Sequence, residues 1–255
     1  MKNSSKLALG LGVAAVTIPM FSSGLKRDLT FAQWIWNHTK WGSLPTYLPR
    51  ENLQASVDEF GIRHVDGHYY AMKRYGWEEH DLREWITPDD SLVKEYSCVL
   101  WNEDRDTFIL NVWDWVCSEF VYGRELWGDF WRFPTETLTI EENYEKAVAL
   151  HNEMRLPVLP PRRPITDCED LSYLATSLLI AGGVDAYADI GHYGNIMHAW
   201  VTVDRNGVEH IIEPTLSGRL MGILLQVDPW LTIDRYPEYV ARYRFNHLTV
   251  HHLTR

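Results

Sequence analysis

The stretch "PITDCEDLSYLATSLLIAGG", residues 164–183, constrains the fold of this chain more than any other. Leu171, Leu174, Ala175, Leu178 and Leu179 recur at i, i+3, i+4, i+7 and i+8, which predicts a helix with one apolar stripe turned to a core. Thr166 and Glu169 form the pattern T-x-x-E, so a capping box with Thr166 as N-cap is expected, and Gly182-Gly183 supplies the stop. Upstream, "RLPVLPPRRPI" (155–165) cannot continue a helix and predicts an extended lead-in. Cys168 then falls in the first turn, where unpaired N–H groups and the positive end of the helix dipole favour a thiolate. Asp167 and Glu169 oppose that if they face the sulfur, so a reactive Cys168 needs a histidine.

"NIMHAWVTVDRNGVEHIIEPT", residues 195–215, has one to offer. Two β-prone segments flank "DRNG", the signature of a hairpin. A turn at Arg205-Asn206 sets His198 opposite Glu213, and a turn at Asn206-Gly207 makes them diagonal neighbours. Either way the two side chains share a face, because the strand period is two. A carboxylate beside an imidazole orients it and stabilises its protonated form. Thiol, imidazole and acid thus occur in the order Cys168, His198, Glu213.

"DCEDLSYLATSLLIAGGVDAY", "HAW" and "EPT" resemble the transglutaminase-like superfamily of cysteine enzymes, especially bacterial and archaeal members with a D-C-E-D or D-C-D-D motif. The likeness covers about residues 106–216, and "VWDWVCSEFVY" followed by "WGDFWRFPTETL" is similar to the segment that precedes the motif in relatives. The resemblance implies an α+β, papain-like core, in which a helix headed by cysteine packs on an antiparallel sheet carrying histidine and acid. It implies Cys168 as nucleophile, His198 as general base and acid, and Glu213 as orienting acid, with no cofactor and no metal. Trp127 and Trp131 are the candidate oxyanion donors, beside the backbone N–H of Cys168. Two departures stand out: the family usually has Asp in D-P-T where this chain has Glu213 in "EPT", and residues 141–163 form an insertion. The implied activity is acyl transfer from an amide through a thioester. Water as acceptor makes a cysteine peptidase or amidase acting on a protein or peptide. An amine acceptor makes a crosslinking transglutaminase. A module that keeps the fold without the activity is a third alternative.

The remaining sequence sets boundaries. Residues 1–24 place Lys2 and Lys6 before an apolar run, Leu7 to Phe21, then "SSG", the order of a signal peptide. An uncleaved hydrophobic segment, with membrane association through it alone, is the alternative. A cleaved signal implies an exported, periplasmic or cell-surface protein, in which Cys98 and Cys117 could pair and leave Cys168 free. The net charge of -11 offers no basic field to nucleic acid or an anionic membrane surface. Residues 25–90 read as an N-terminal extension and 91–255 as the catalytic domain. Helices are expected at 106–121 and 141–154, an aromatic-rich loop at 123–140, and a helix then a strand within 230–254. Cys117 lies beside the apolar stripe of the first helix and reads as a structural hydrophobe. His64 and His68 have i, i+4 spacing, but Gly67 interrupts any helix and no third ligand is near, so they read as surface residues, like His247, His251 and His252. Twelve tryptophans and thirteen tyrosines read mainly as large core residues.

Overall fold

The computed structural model describes residues 57–72, 79–123, 131–154, 165–216 and 230–254. The N-terminal segment 1–24, Trp127, and residues 155–164 of the lead-in and insertion lie outside the described residues. Among the described residues the fold is α+β. Helices α1 (Ser91–Leu100), α2 (Arg105–Glu119), α3 (Pro134–Met154) and α4 (Cys168–Ala181) accompany strands that form two antiparallel sheets. The larger sheet has the order β10-β9-β6-β7-β8, with β6 (Ala186–Tyr193), β7 (Ile196–Arg205), β8 (Val208–Ile212), β9 (Tyr239–Phe245) and β10 (Val250–His252). The smaller joins β1 (Arg63–Val65), β2 (His68–Met72) and β3 (Glu79–Asp81). A short parallel pair, β4 (Val121–Tyr122) and β5 (Ile165–Thr166), completes the described set. No described helix is long and apolar enough to cross a membrane.

The helix predicted from the leucine stripe forms, and it is buried on more than that stripe. Every residue from Thr166 to Leu179 except Glu169 is buried. α4 packs against α1, α2, α3, β6 and β7, so its second face is covered too. That face carries small polar side chains: Ser177 Oγ accepts from Thr87 N–H at 3.0 Å, while the Ser172 and Thr176 hydroxyls are buried without a partner among the described residues. The Leu178 carbonyl accepts from the Ser97 hydroxyl of α1 at 2.8 Å. Gly182 caps the helix, and a Cβ there would lie 2.3 Å from the Phe108 ring, so only glycine lets α2 come this close.

Two apolar clusters share α4. In one, Leu171, Leu174 and Leu178 meet Phe108, Ile109, Val112 and Val116 of α2 and Val201 and Val203 of β7. In the other, Cys168 and Tyr173 meet Trp85, Trp131, Ala199 and Phe245. Trp85 stacks on Phe133 at 4.6 Å and meets Trp131 edge-on at 5.4 Å, so much of the aromatic content is core. Burying each such ring stabilises the fold by about 1.5–3 kcal/mol.

Several local expectations are corrected. Asp167 is the N-cap of α4, accepting from Asp170 N–H, while Thr166 is buried in β5 and its hydroxyl has no partner among the described residues. Pairing of β5 with β4 draws Thr166 into extended backbone and moves the cap on by one. α3 starts at Pro134, inside the expected loop, because proline suits the first helical position and Glu136 caps the Phe133 N–H at 3.0 Å. Beyond residue 230 the chain forms two strands, β9 and β10, and no described helix. "HVDGH" is a hairpin: Asp66 and Gly67 have φ of 50° and 81°, so His64 and His68 sit on separate strands. The described residues before Ser91 lie in one compact unit, Ala55–Glu125 with Asp129–Arg255, with the four helices and the larger sheet.

Candidate active site

The turn of the β7–β8 hairpin fixes half the site. Asn206 and Gly207 have φ of 57° and 81°, the left-handed pair that suits the twist of a two-residue hairpin. Arg205 therefore pairs with Val208, and Val201 with Ile212, which is the diagonal arrangement of His198 and Glu213. Glu213 follows the last residue of β8, and its Oε2 lies 2.8 Å from His198 Nε2. Their side chains are 10% and 3% exposed.

Glu213 is held by more than the imidazole. Its Oε1 accepts from the Thr215 N–H at 3.0 Å and the Thr215 hydroxyl at 2.6 Å. Its Oε2 also accepts from the Tyr239 hydroxyl at 2.9 Å. Trp113 Nε1–H donates to the Glu213 carbonyl at 2.9 Å, and the Cys117 thiol donates to Pro214 O at 3.4 Å. The carboxylate end of Glu213 is fixed by His198, Thr215 and Tyr239. Burial pushes the Glu213 carboxyl up, but the hydrogen bond and charge of His198, then Thr215, hold it below its ordinary value. Burial likewise pulls His198 down, and the bond to Glu213 and the charges of Glu213 and Glu169 lift it above its ordinary value. An ionised Glu213 only accepts, so Nε2 carries the proton and Nδ1 is the nitrogen left for other chemistry.

Cys168 opens α4 and is buried. Its thiol donates to Glu169 Oε2 at 3.0 Å, and Cys168 shares a buried cluster with Ala199, next in chain to His198. Burial first, then the charge of Glu169 and the hydrogen bond to it, push the thiol well above its ordinary value; Ala199 opposes them and Asp167 adds to them. A full negative charge at 3.0 Å outweighs the partial positive charge of a helix end. The resting group is a thiol, not the thiolate that the helix position alone favours. Asp170, two residues on, is taken out of play: its carboxylate accepts from Arg132 N–H at 2.7 Å and Arg132 NH1 at 2.8 Å.

Trp131 is 6% exposed, wedged edge-on between Trp85 and Tyr173 in the cluster that holds Cys168. Cys98, Cys117 and Cys168 are all free thiols, Cys98 exposed and Cys117 buried, so the Cys98–Cys117 pairing open to an exported chain is not formed. Tyr239, Thr215 and the direction of Glu169 lie beyond the sequence reading; "EPT" carried a signal for Thr215, and none marked Tyr239. Among the described residues, the carboxylates of Glu119, Glu141 and Glu145 are the one grouping with metal-ligand spacing, within 4.8 Å, and it includes none of these site residues. No family model, curated protein or solved structure matches the chain.

Proposed function

We propose that this chain is a transglutaminase-like cysteine enzyme that breaks an amide bond of a protein or peptide through a thioester at Cys168, with water as acceptor. What carries the reading is the buried 2.8 Å contact of His198 and Glu213, on the strand whose next residue, Ala199, shares a buried cluster with Cys168. In this reading His198 Nδ1 takes the thiol proton as Sγ attacks the carbonyl carbon. The C–N bond then breaks and Nδ1 returns the proton to the leaving amine. Water attacks the thioester, gives its proton to Nδ1, and releases a carboxylic acid and the free thiol. Glu213 holds the ring and its charge steadies the imidazolium. An amine in place of water makes the same site a transglutaminase.

One observation favours a second reading, an inactive scaffold: the Cys168 thiol is engaged by Glu169. Iodoacetamide labelling of Cys168 from about pH 5 to 9, in wild type and His198→Ala, separates the two. A thiol whose reactivity depends on His198 supports the enzyme, and one indifferent to His198 sinks it. Peptide cleavage and amine incorporation then decide the acceptor.

A further inference from the structure

The parallel pair β4–β5 brings a side chain to Cys168 that the mechanism has not used. Tyr122 pairs with Thr166, and Gly123 N–H donates to the Thr166 carbonyl at 3.0 Å. Asp167 is extended, with φ of -98° and ψ of -175°. Thr166 and Cys168, two positions apart, therefore leave the chain on one side, and Tyr122 shares that side through its register with Thr166. Tyr122 is 43% exposed, and no hydrogen bond joins its hydroxyl to any described residue. A partly exposed phenol in register two residues before Cys168 is a donor available to an acceptor at that end of α4.

The acyl-transfer reading, on which this inference rests, creates one. When Sγ bonds to the carbonyl carbon, the C=O π pair moves onto oxygen, and the thiol proton resides on His198. That oxygen needs donors fixed in advance. The backbone N–H of Cys168, at the first position of α4, is one, since no turn of helix precedes it to use it. We propose that the Tyr122 hydroxyl is the side-chain oxyanion donor of this site, working with the Cys168 N–H and donating a hydrogen bond without giving up its proton. Burial, then the charges of Cys168, Glu169 and Glu213, push the phenol up to about 12, so it stays a neutral donor where thiol chemistry runs. Trp131, edge-on between Trp85 and Tyr173 in the cluster that holds Cys168, is the competing donor that the test compares.

Two reagents that share the nucleophile and differ in the oxyanion test this. Acylation of Cys168 by p-nitrophenyl acetate passes through an oxyanion, whereas alkylation by iodoacetamide does not. Tyr122→Phe should slow acylation by roughly 10- to 100-fold while alkylation stays within about twofold of wild type. Trp131→Phe should slow neither reaction selectively. Parallel loss of both rates in Tyr122→Phe, no loss of either, or a selective loss in Trp131→Phe instead would each overturn the assignment. Failure of the underlying reading looks different: His198→Ala then leaves alkylation unchanged, whatever Tyr122→Phe does.

Discussion

The Cys168 thiol donates its hydrogen bond to Glu169 Oε2, 3.0 Å away, and Glu169 is the one residue between Thr166 and Leu179 that is not buried. The thiol is thus held by the one residue of this stretch that is only partly buried. Glu169→Gln removes the charge and keeps the shape. The pH–rate profile for alkylation of Cys168 should move to lower pH, with a rate near pH 7.5 about tenfold higher, since one pKa unit is a factor of ten in thiolate. A profile that stays put, or moves up, would show that Glu169 does not restrain the sulfur.

Glu213→Gln tests the acid. It retains an acceptor for Thr215 and loses the charge that orients and steadies the imidazolium. Acylation of Cys168 by p-nitrophenyl acetate is expected to fall by about 10²- to 10⁴-fold with an unchanged near-ultraviolet dichroism spectrum. A loss of less than about threefold would remove Glu213 from the machinery.

The same pair sets a pH window for stability. Glu213 lies below its ordinary value, so its contribution is present above that value and is lost as pH falls through the folded one. His198 lies above its ordinary value, so its contribution is complete below that value and is lost as pH rises through the folded one. The two overlap from about pH 5 to about pH 6. The difference in Tm between wild type and His198→Gln should be greatest there and shrink on both sides. A difference that does not vary with pH would mean that His198 and Glu213 titrate in the folded chain as they do in the unfolded one.

Gly191 governs how β9 reaches the site. It faces His198 in the β6–β7 ladder and lies at the register shift of β6 against β9. A Cβ there would sit 2.1 Å from the Val240 carbonyl oxygen, a backbone atom that cannot swing aside. Gly191→Ala should cost about 1–3 kcal/mol in urea unfolding. It should also slow acylation, because moving β9 withdraws the Tyr239 hydroxyl from Glu213. Wild-type stability and rate together would mean that β9 adjusts without loss.

The three thiols should behave differently. Cys98 is exposed and labels readily in the native protein. Cys117 is buried, and burial, then the charges of Glu213 and Asp114, push its thiol far up, so it labels only on unfolding. Peptide mapping of native and urea-unfolded samples checks this, and native labelling of Cys117 would contradict the packing of α2 against Glu213 and Pro214.

What was legible in the sequence was local. The leucine period marked α4, and Asn-Gly between alternating apolar residues marked the hairpin, because both signals lie within a few residues of their consequence. The hairpin left two registers open, and the left-handed pair at Asn206 and Gly207 selects one. What was not legible depends on partners far along the chain. Tyr239 meets Glu213 only because β9 pairs with β6, and Thr166 lost its cap only because β5 pairs with β4. The burial of α4 on its second face likewise comes from α1, which no motif announced.

The hairpin has a consequence for assembly. His198 and Glu213 are fifteen residues apart and joined by one two-residue turn. Such a unit closes in microseconds, before distant segments meet. Cys168 joins it only when α4 docks on the sheet, so the His198–Glu213 pair forms ahead of its meeting with the thiol. A newly made chain therefore exposes Cys168 as an ordinary thiol until α4 docks, and burial and Glu169 raise it only then.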